Sequence, residues 1–176
     1  MKKITKRVRL FMKIKMLFIP DGPHGDRARG KLYEPYLKGF GKNFKVGSQA
    51  FIFNPNELLV GNDVYIGFNS YLGQGEIILK DEVLIGNFVS ITASNHLLKN
   101  DSFRFGGFES KPIIIGKGSW IGAHTSIVAG VIIGDCTLIA AGSVVTKPFE
   151  GFSILGGCPA KKINTIEKFK LKYNVE

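Results

Sequence analysis

The chain has 176 residues, 44% of them hydrophobic, which is enough for one domain with a buried core. Lys and Arg number 24 against 14 Asp and Glu, so the net charge is +10. The excess lies at the ends: residues 1–50 carry thirteen basic and three acidic residues, whereas residues 51–160 carry six and nine. Nucleic-acid binders usually show a basic stripe with interleaved aromatic residues along the fold. This chain lacks that stripe, so we expect no nucleic-acid partner.

Residues 2–18 mix basic and apolar side chains in a pattern that predicts a basic amphipathic helix. Such a helix can cap the end of the fold with its apolar side, or it can lie on an anionic membrane surface. We favour the cap, and the two interpretations are compatible. Because lysines interrupt every apolar run, we expect neither a membrane-spanning segment nor a secretion signal. The turn cluster at residues 20–23 predicts the end of this helix.

The two cysteines, Cys136 and Cys158, are isolated in otherwise regular sequence. They are too few for a disulfide framework. We therefore expect reduced thiols in a cytoplasmic protein.

An aliphatic residue recurs at every sixth position in the second half of the chain. The series is Ile115, Ile121, Ile127, Ile133, Ile139 and Val145. Small or β-branched residues mostly stand two positions earlier, and glycine often follows directly. This period fits neither an α-helix nor the alternation of an ordinary hairpin. A fixed short period of this kind is typical of a β-solenoid.

A six-residue unit fits a short strand followed by a tight corner. Three such units close a triangular coil, and coils stack at about the 4.8 Å spacing of neighbouring strands. The aliphatic residue then points inward and stacks on its counterparts. We expect the glycine or short polar residue beside it to turn the corner, where a positive φ can be required.

The same spacing continues toward the N-terminus, with two shifts in phase. Its earlier members are Leu79, Ile85 and Ile91, then Val60, Ile66 and Leu72, and more weakly Val46 and Ile52. Residues 46–158 therefore predict a solenoid of about five coils. Residues 1–45 precede it as a basic helical or irregular segment, in which 24–45 form a second short helix or an irregular cover. Residues 159–176 follow as a helical tail, with a short basic helix from Ile163 to Tyr173.

The aliphatic ladder stops at Ile91 and resumes at Ile115. Residues 97–114 between them predict an external loop of about one coil's length. Loops of this length without regular structure are usually functional or disordered. Three phenylalanines argue against disorder, so we expect the loop to pack on something, for instance a neighbouring subunit.

His96 stands at the base of this loop, where the coil edge becomes the wall of a cleft. An imidazole can take the proton of an alcohol that attacks a thioester, so His96 is a candidate general base. A histidine that only caps the loop base by hydrogen bonding fits the same position. His24, in the turn-rich entry, and His124, at an outward corner, are weaker candidates.

Trp120 directly precedes the inward-pointing Ile121, so strand alternation places its indole on the outside. An exposed indole on a solenoid face indicates either a subunit interface or the wall of a ligand site. Both interpretations stay open.

Four segments resemble the hexapeptide-repeat acyltransferases, which are left-handed parallel β-helices. They are PIIIG at 112–116, WIGAH at 120–124, IAAGSVVTK at 139–147 and GGCPAK at 156–161. Together with the His96 loop, they are similar to the galactoside and maltose O-acetyltransferase branch, including its relatives in surface-polysaccharide biosynthesis. The resemblance covers about residues 60–163.

This resemblance implies an all-β, left-handed parallel β-helix that forms a homotrimer, with active sites in the clefts between subunits. The hand comes from the resemblance, because parallel crossovers are usually right-handed. Acetyl-CoA is the implied acyl donor, a sugar hydroxyl is the implied acceptor, and no metal is needed. His96 falls on the family's general base. The positions that contact the coenzyme fall on Ala123, Ala141, Thr146, Lys147 and Lys161, whereas Asn164 replaces an arginine that contacts phosphate in relatives.

Asn69 and Trp120 are the predicted substrate-binding residues. Asn69 lies in a coil comparable to that of the family's oxyanion-stabilising asparagine, although the local spacing differs by a few residues. Backbone N–H groups are the alternative source of that stabilisation.

The expected function is therefore that of a cytoplasmic, trimeric, acetyl-CoA-dependent O-acetyltransferase. The expected acceptor is a precursor of capsule, lipopolysaccharide or exopolysaccharide, because lipid-linked precursors lie at the inner membrane face and residues 2–18 could reach it. The alternative is a non-catalytic trimeric scaffold or membrane-surface adaptor. Zinc carbonic anhydrases share the fold but need three converging histidines, two of them close in sequence. The three histidines here all lie more than five residues apart.

Overall fold

A computed structural model describes residues 5–173 of the chain, with side chains as far as residue 170. Its body is a triangular prism of three sheets, here called A, B and C, which the chain visits in turn in each coil. The predicted fold class, a parallel β-solenoid with short helices at its ends, is confirmed. Strands and helices are numbered below in chain order.

The strands of each sheet are given in spatial order. Sheet A contains β1 (Gly39–Phe40), β4 (Leu58–Val60), β7 (Ile77–Leu79), β12 (Ile113–Ile115) and β15 (Ile132–Ile133). Sheet B contains β2 (Lys45–Val46), β5 (Tyr65–Ile66), β8 (Leu84–Ile85), β13 (Trp120–Ile121), β16 (Leu138–Ile139), β18 (Ser153–Gly157) and β19 (Ala160–Thr165). Sheet C contains β3 (Phe51–Ile52), β6 (Tyr71–Leu72), β9 (Ser90–Ile91), β14 (Ser126–Ile127) and β17 (Val144–Val145).

The remaining elements lie outside the three sheets. They are the helices α1 (Lys6–Leu17), α2 (Pro23–Tyr33) and α3 (Ile166–Tyr173), the 3-10 turns Glu34–Tyr36 and Pro55–Glu57, and the hairpin strands β10 (Ser94–His96) and β11 (Phe108–Ser110).

The six-residue aliphatic series fills the interior of the prism, as predicted. All of its members from Val46 to Val145 are buried. The small polar residues two positions earlier are buried as well, and their hydroxyls donate to corner carbonyls. Ser143 Oγ, for example, lies 2.6 Å from the carbonyl oxygen of Ala140. Because these hydroxyls are satisfied, short polar side chains can lie beside the apolar core without a desolvation penalty.

Glycine has a different role from the one that the sequence predicts. The glycines that follow the inward aliphatic residues lie where neighbouring coils approach closely. A Cβ on Gly122 would lie 2.6 Å from both the backbone N of Ala141 and the backbone O of Ile139. The left-handed corner falls two residues later, where His124 has φ 59°. Asn and Asp, which tolerate this region best among side chains with a Cβ, occupy several of the equivalent corners.

The solenoid is longer than predicted. It begins at β1 instead of Val46, and the described chain passes six times through sheet B in parallel strands, so there are about six coils instead of five. The sequence pattern misses the first pass through sheet A because Phe40, in β1, is half exposed and breaks the aliphatic series.

The external insertion starts and ends earlier than predicted. It is a hairpin in which β10 pairs antiparallel with β11, so it begins at Ser94. Ile113 and Ile114 were predicted to lie in the loop but belong to β12, where they pair with Ile77 and Ile78 of β7. Burial of Ile113 in the core accounts for this earlier return to the prism.

The N-terminal helices cap the first coil. Thr5 caps α1 by accepting a hydrogen bond from the Val8 N–H, and the helix ends at Leu17, before the predicted turn cluster. Met12 of α1 is buried against the core, which supports the capping interpretation. The predicted second helix is α2, whose Arg29 is buried and donates to Asp26 and to the carbonyl of Val46. None of the described helices is long and apolar enough to cross a membrane.

The C-terminal tail starts as a strand. Residues 160–165 form β19, which pairs antiparallel with β18, so the predicted helix begins at Ile166 instead of Ile163. Without β19, the last strand of sheet B would leave its N–H and C=O groups unpaired at an open edge. Closing this edge explains why the helix starts late.

Replacing an inward residue should cost far more stability than replacing its outward neighbour. Ile133 is 1% exposed and Ile132 is 47% exposed. We expect Ile133→Ala to lower the free energy of unfolding by about 2–5 kcal/mol, because it leaves a cavity between coils. The measurement is urea unfolding followed by circular dichroism, with Ile132→Ala as the matched control. Equal losses in the two variants would contradict the inward ladder.

Candidate functional site

Three edges separate the sheets, and each has its own chemistry. The A–B edge comprises residues 41–44, 61–64, 80–83, 116–119 and 134–137. The B–C edge comprises residues 47–50, 67–70, 86–89, 122–125 and 140–143. The C–A edge comprises residues 53–57, 73–76, 92–112, 128–131 and 146–148. Each edge follows directly from the strand bounds.

His96 belongs to the C–A edge. The hairpin that carries it leaves the prism after β9 of sheet C and returns at β12 of sheet A. Ala93 anchors its root: the Ala93 N–H donates to the carbonyl of Gln74 at 2.8 Å, and the Ala93 carbonyl accepts from the Lys111 N–H at 3.0 Å. The start of the hairpin is therefore fixed to the rigid coils, and His96 lies only three residues beyond this anchor.

The imidazole of His96 is exposed, opposite Phe108 in the hairpin register. Among the described residues its ring has no hydrogen-bond partner, so the structure gives no support to the capping interpretation. Phe103, Phe105 and Phe108 are 61%, 77% and 59% exposed. Within one chain, the loop therefore does not bury its phenylalanines as predicted.

Thr146 and Lys147 share the C–A edge with His96. They follow β17 of sheet C, two coils beyond the coil that carries the hairpin, and both are exposed. The Lys147 Nζ lies 5.6 Å from the ring centroid of Phe149. One edge of one chain thus brings together the candidate base and two of the predicted donor contacts.

Asn69, Ala123 and Ala141 lie on the opposite side of sheet C, along the B–C edge. Ala123 and Ala141 are in successive coils, and the Ala123 carbonyl accepts from the N–H of Gly142 at 2.8 Å. Asn69 has φ 53° and its N–H donates to the carbonyl of Ser48. The left-handed corner alone accounts for an asparagine here, and its oxyanion role stays a prediction.

An aromatic stack that was not predicted lies on the same B–C edge. The imidazole of His124 lies parallel to the ring of Phe88, with centroids 4.8 Å apart, and Phe68 meets Phe88 edge-on at 5.3 Å. All three side chains come from corners one coil apart. Counting corners along the six-residue period could have found the stack, because Phe88 and His124 each stand two residues before a strand.

Trp120 and Lys161 lie on sheet B. The indole is 49% exposed, so the predicted outward direction is confirmed. It pairs in register with Leu84 and Leu138, which also point outward. Lys161 is an exposed residue of the closing strand β19.

The A–B edge carries ion pairs between coils and none of the predicted site residues. Lys80 Nζ lies 3.3 Å from Asp135 Oδ1, and Lys117 Nζ lies 3.2 Å from Glu82 Oε1. The hydrogen bond from the Lys117 N–H, together with that from Lys80, lowers the pKa of Asp135. The described side chains include no group of three or more His, Cys, Asp and Glu placed to hold a metal ion, and both cysteines are free.

Two models of hexapeptide repeats match this chain. "Bacterial transferase hexapeptide (six repeats)" matches residues 112–147, and "Hexapeptide repeat of succinyl-transferase" matches residues 58–93. The galactoside O-acetyltransferase of Escherichia coli K12 is 33% identical over 128 residues, which are 69% of this chain and 63% of that protein. The chain thus spans less than two thirds of the length of this relative.

Solved structures extend the likeness. A galactoside acetyltransferase in complex with coenzyme A superimposes with a TM-score of 0.79 and 27% identity, covering 97% of this chain and 88% of that one. The maltose O-acetyltransferase of Clostridium difficile 630 has a TM-score of 0.74 over 90% of this chain and 86% of that one, and at 23% identity it shows the shared fold alone. The chain is thus built from hexapeptide repeats of this kind; it is similar to the galactoside O-acetyltransferase in sequence and fold, and to the maltose O-acetyltransferase in fold.

Proposed function

We propose that the protein is an acetyl-CoA-dependent O-acetyltransferase that acts on a sugar hydroxyl. The observation that carries the proposal is the likeness to the galactoside acetyltransferase bound to coenzyme A, which extends over nearly the whole chain. The sequence relative from Escherichia coli, a galactoside O-acetyltransferase, supports the same acceptor chemistry.

In the proposed reaction, His96 takes the proton of the acceptor hydroxyl while the hydroxyl oxygen attacks the acetyl carbon. The new C–O bond forms, the C–S bond of the thioester breaks, and the leaving thiolate takes the proton from the imidazolium. The anchored root of the hairpin and the exposure of the ring suit this role. Asn69, or backbone N–H groups of the coil edge, would stabilise the oxyanion.

The two edges that flank sheet C fit an extended donor. Ala123 and Ala141 have small side chains, so a ligand could approach the backbone along the B–C edge. Lys147 and Lys161 are exposed cations near the last coils and could pair with the coenzyme's phosphates. Thr146 adds a hydroxyl at the C–A edge.

The proposed active site is shared between subunits of a homotrimer. His96 lies on the C–A edge and Asn69, Ala123 and Ala141 lie on the B–C edge, so sheet C separates them within one chain. They could meet where the C–A edge of one protomer faces the B–C edge of another. The exposed phenylalanines of the hairpin and the outward indole of Trp120 would then be covered by the neighbour.

Sheets A and B have the surface chemistry expected of subunit contacts. Their outward residues are mostly apolar, and they include Leu59, Ile78, Ile114, Ile132, Leu84, Trp120 and Leu138. The middle of sheet C instead presents Ser90 and Ser126, which pair in register. The outward rows of sheets A and B are mostly apolar, whereas two serines interrupt the outward row of sheet C between Tyr71 and Val144. This difference favours an assembly through A and B.

The proposed acceptor is a sugar of a surface-polysaccharide precursor, such as that of capsule, lipopolysaccharide or exopolysaccharide. Its support is the basic N-terminal segment, which suits a cytoplasmic protein that works close to lipid-linked saccharides. A non-catalytic trimeric scaffold is the second candidate, since a prism with apolar faces needs no active site to assemble.

Replacing the candidate base should slow turnover strongly. We expect His96→Ala to lower kcat by about 10²- to 10⁴-fold, the usual contribution of a general base. The measurement is thiol release from acetyl-CoA in the presence of candidate sugars, with the oligomeric state checked in parallel. His24→Ala is the matched control, because His24 is an exposed histidine of α2, far along the chain from the hairpin. Equal rates for wild type and His96→Ala would reject His96 as the base.

Removing a phosphate contact should weaken donor binding. We expect Lys161→Ala to raise the KM for acetyl-CoA by about tenfold with little change in kcat, because the lost charge-assisted hydrogen bond acts in ground and transition state alike. Lys162→Ala is the matched control, since side chains alternate along β19. An equal rise in both variants would show general electrostatics and would contradict a specific contact.

A charge on the outer face of sheet B should break the assembly. We expect Trp120→Glu to convert the trimer to monomers in sedimentation velocity, because the carboxylate would be buried in an apolar contact. Ser90→Glu places the same charge on the exposed face of sheet C and should leave the trimer intact. If the Trp120→Glu variant still sediments as a trimer, the proposed contact is wrong.

A further inference from the structure

Helix α1 has two apolar faces, and only one of them packs on the prism. Val8, Met12 and Met16, spaced four residues apart, pack against the core. The opposite face remains exposed. Its members are Leu10, Phe11, Ile14, Leu17 and the C-cap residue Phe18, which are 61%, 58%, 47%, 81% and 82% exposed. Their spacing of one, four, seven and eight residues from Leu10 marks one continuous stripe. We call this stripe the free face of α1.

The free face continues into an apolar groove between the helix and the first coil. The groove has a volume of about 800 Å³. Leu10, Ile14 and Leu17 line its helix side, and Ala50 and Phe51 line its coil side. The capping of the solenoid therefore does not use up the apolar surface of α1.

Cations border this apolar surface. Lys6, Arg7, Lys13 and Lys15 are all exposed, and α1 contains no acidic residue. Lys15 Nζ lies 4.6 Å from the ring centroid of Phe11, so its aliphatic stem follows the apolar stripe while its ammonium stays at the margin. In the described part of the chain, no carboxylate forms a salt bridge with a basic residue of α1.

We propose that the free face of α1 docks on an anionic lipid bilayer. An apolar stripe bordered by Lys and Arg inserts to the headgroup–acyl boundary while its cations meet anionic headgroups. A second copy of the chain is a poorer occupant, because two such faces would bring together helices that carry only positive charge. One helix would thus serve both interpretations of the N-terminus: one face caps the coil and the other meets the membrane.

The docking would bring the hairpin close to the bilayer. The importance of this position rests on the proposed function, in which the hairpin carries the base. Arg9 Nη2 of α1 donates to the carbonyl of Phe53 at 2.7 Å, on the same C–A edge as His96. Strands β3 and β9, which precede Phe53 and the hairpin, are two coils apart, or about 10 Å. A saccharide whose lipid anchor stays in the bilayer would therefore lie within reach of His96.

The test is co-sedimentation of the full chain with lipid vesicles. We expect wild type to pellet with vesicles of phosphatidylglycerol and phosphatidylcholine, and only weakly with vesicles of phosphatidylcholine alone or at high salt. The double variant Leu17→Gln/Phe18→Gln should bind the anionic vesicles at least about tenfold more weakly, because two large apolar side chains no longer insert. Phe152→Gln/Ile163→Gln is the matched control: it removes two exposed apolar residues at the other end of the prism.

Three outcomes would overturn the proposal. The first is that wild type does not pellet with anionic vesicles, and the second is that both double variants lose vesicle binding equally. The third is that wild type forms a larger assembly without vesicles and that Leu17→Gln/Phe18→Gln disperses this assembly, which would show a second copy on the free face. Circular dichroism confirms that each variant is folded. Thiol release with a soluble acceptor is measured in parallel. If the protein turns over acetyl-CoA but does not bind vesicles, only the docking proposal fails. If it binds vesicles but shows no turnover, only the proposed enzymatic function fails.

Discussion

The stacking of coil on coil determines almost every other feature of this structure. Inward aliphatic residues meet their counterparts about 4.8 Å away in the next coil, and a glycine such as Gly122 lets the two backbones approach at the corner. Because all corners obey the same spacing, side chains on one edge form columns. The columns explain why residues far apart in sequence, such as His96 and Thr146, lie on one edge, and why Ala123 and Ala141 lie on another.

Aliphatic side chains fill the interior of the regular prism, so the proposed chemistry depends on the places where the regularity ends. The hairpin after β9 is the one long departure within the described coils, and it projects His96 away from the wall. The remaining departures are the two ends: α1 and α2 cap the first coil, and β19 closes the last. The candidate base, the predicted donor contacts and the free face of α1 all lie at these departures or on the edges that flank sheet C.

The sequence predicts the repeated part of the structure well, because a buried position recurs every six residues and an aliphatic residue occupies it each time. The sequence is a weaker guide where the same residue pattern fits two different structures. Leu97 stands in phase six residues after Ile91, yet it is 41% exposed because the chain has already left the prism. Residues 160–165 have the composition of a basic helix but pair with β18, since an open sheet edge needs a partner. Phe88 and His124 stack because they occupy equivalent corners of successive coils. The coils differ in length, so the local sequence pattern alone does not show that the two residues are neighbours.

We propose above all that a second chain completes the active site. The most direct test of this proposal mixes two inactive variants with lesions on opposite edges of sheet C: His96→Ala on the C–A edge and Ala141→Trp, which obstructs the donor path, on the B–C edge. In randomly mixed trimers, about a quarter of the interfaces would pair two intact edges, so thiol release should return to about one quarter of the wild-type rate. A site contained in one chain would instead leave the mixture no more active than its separate components.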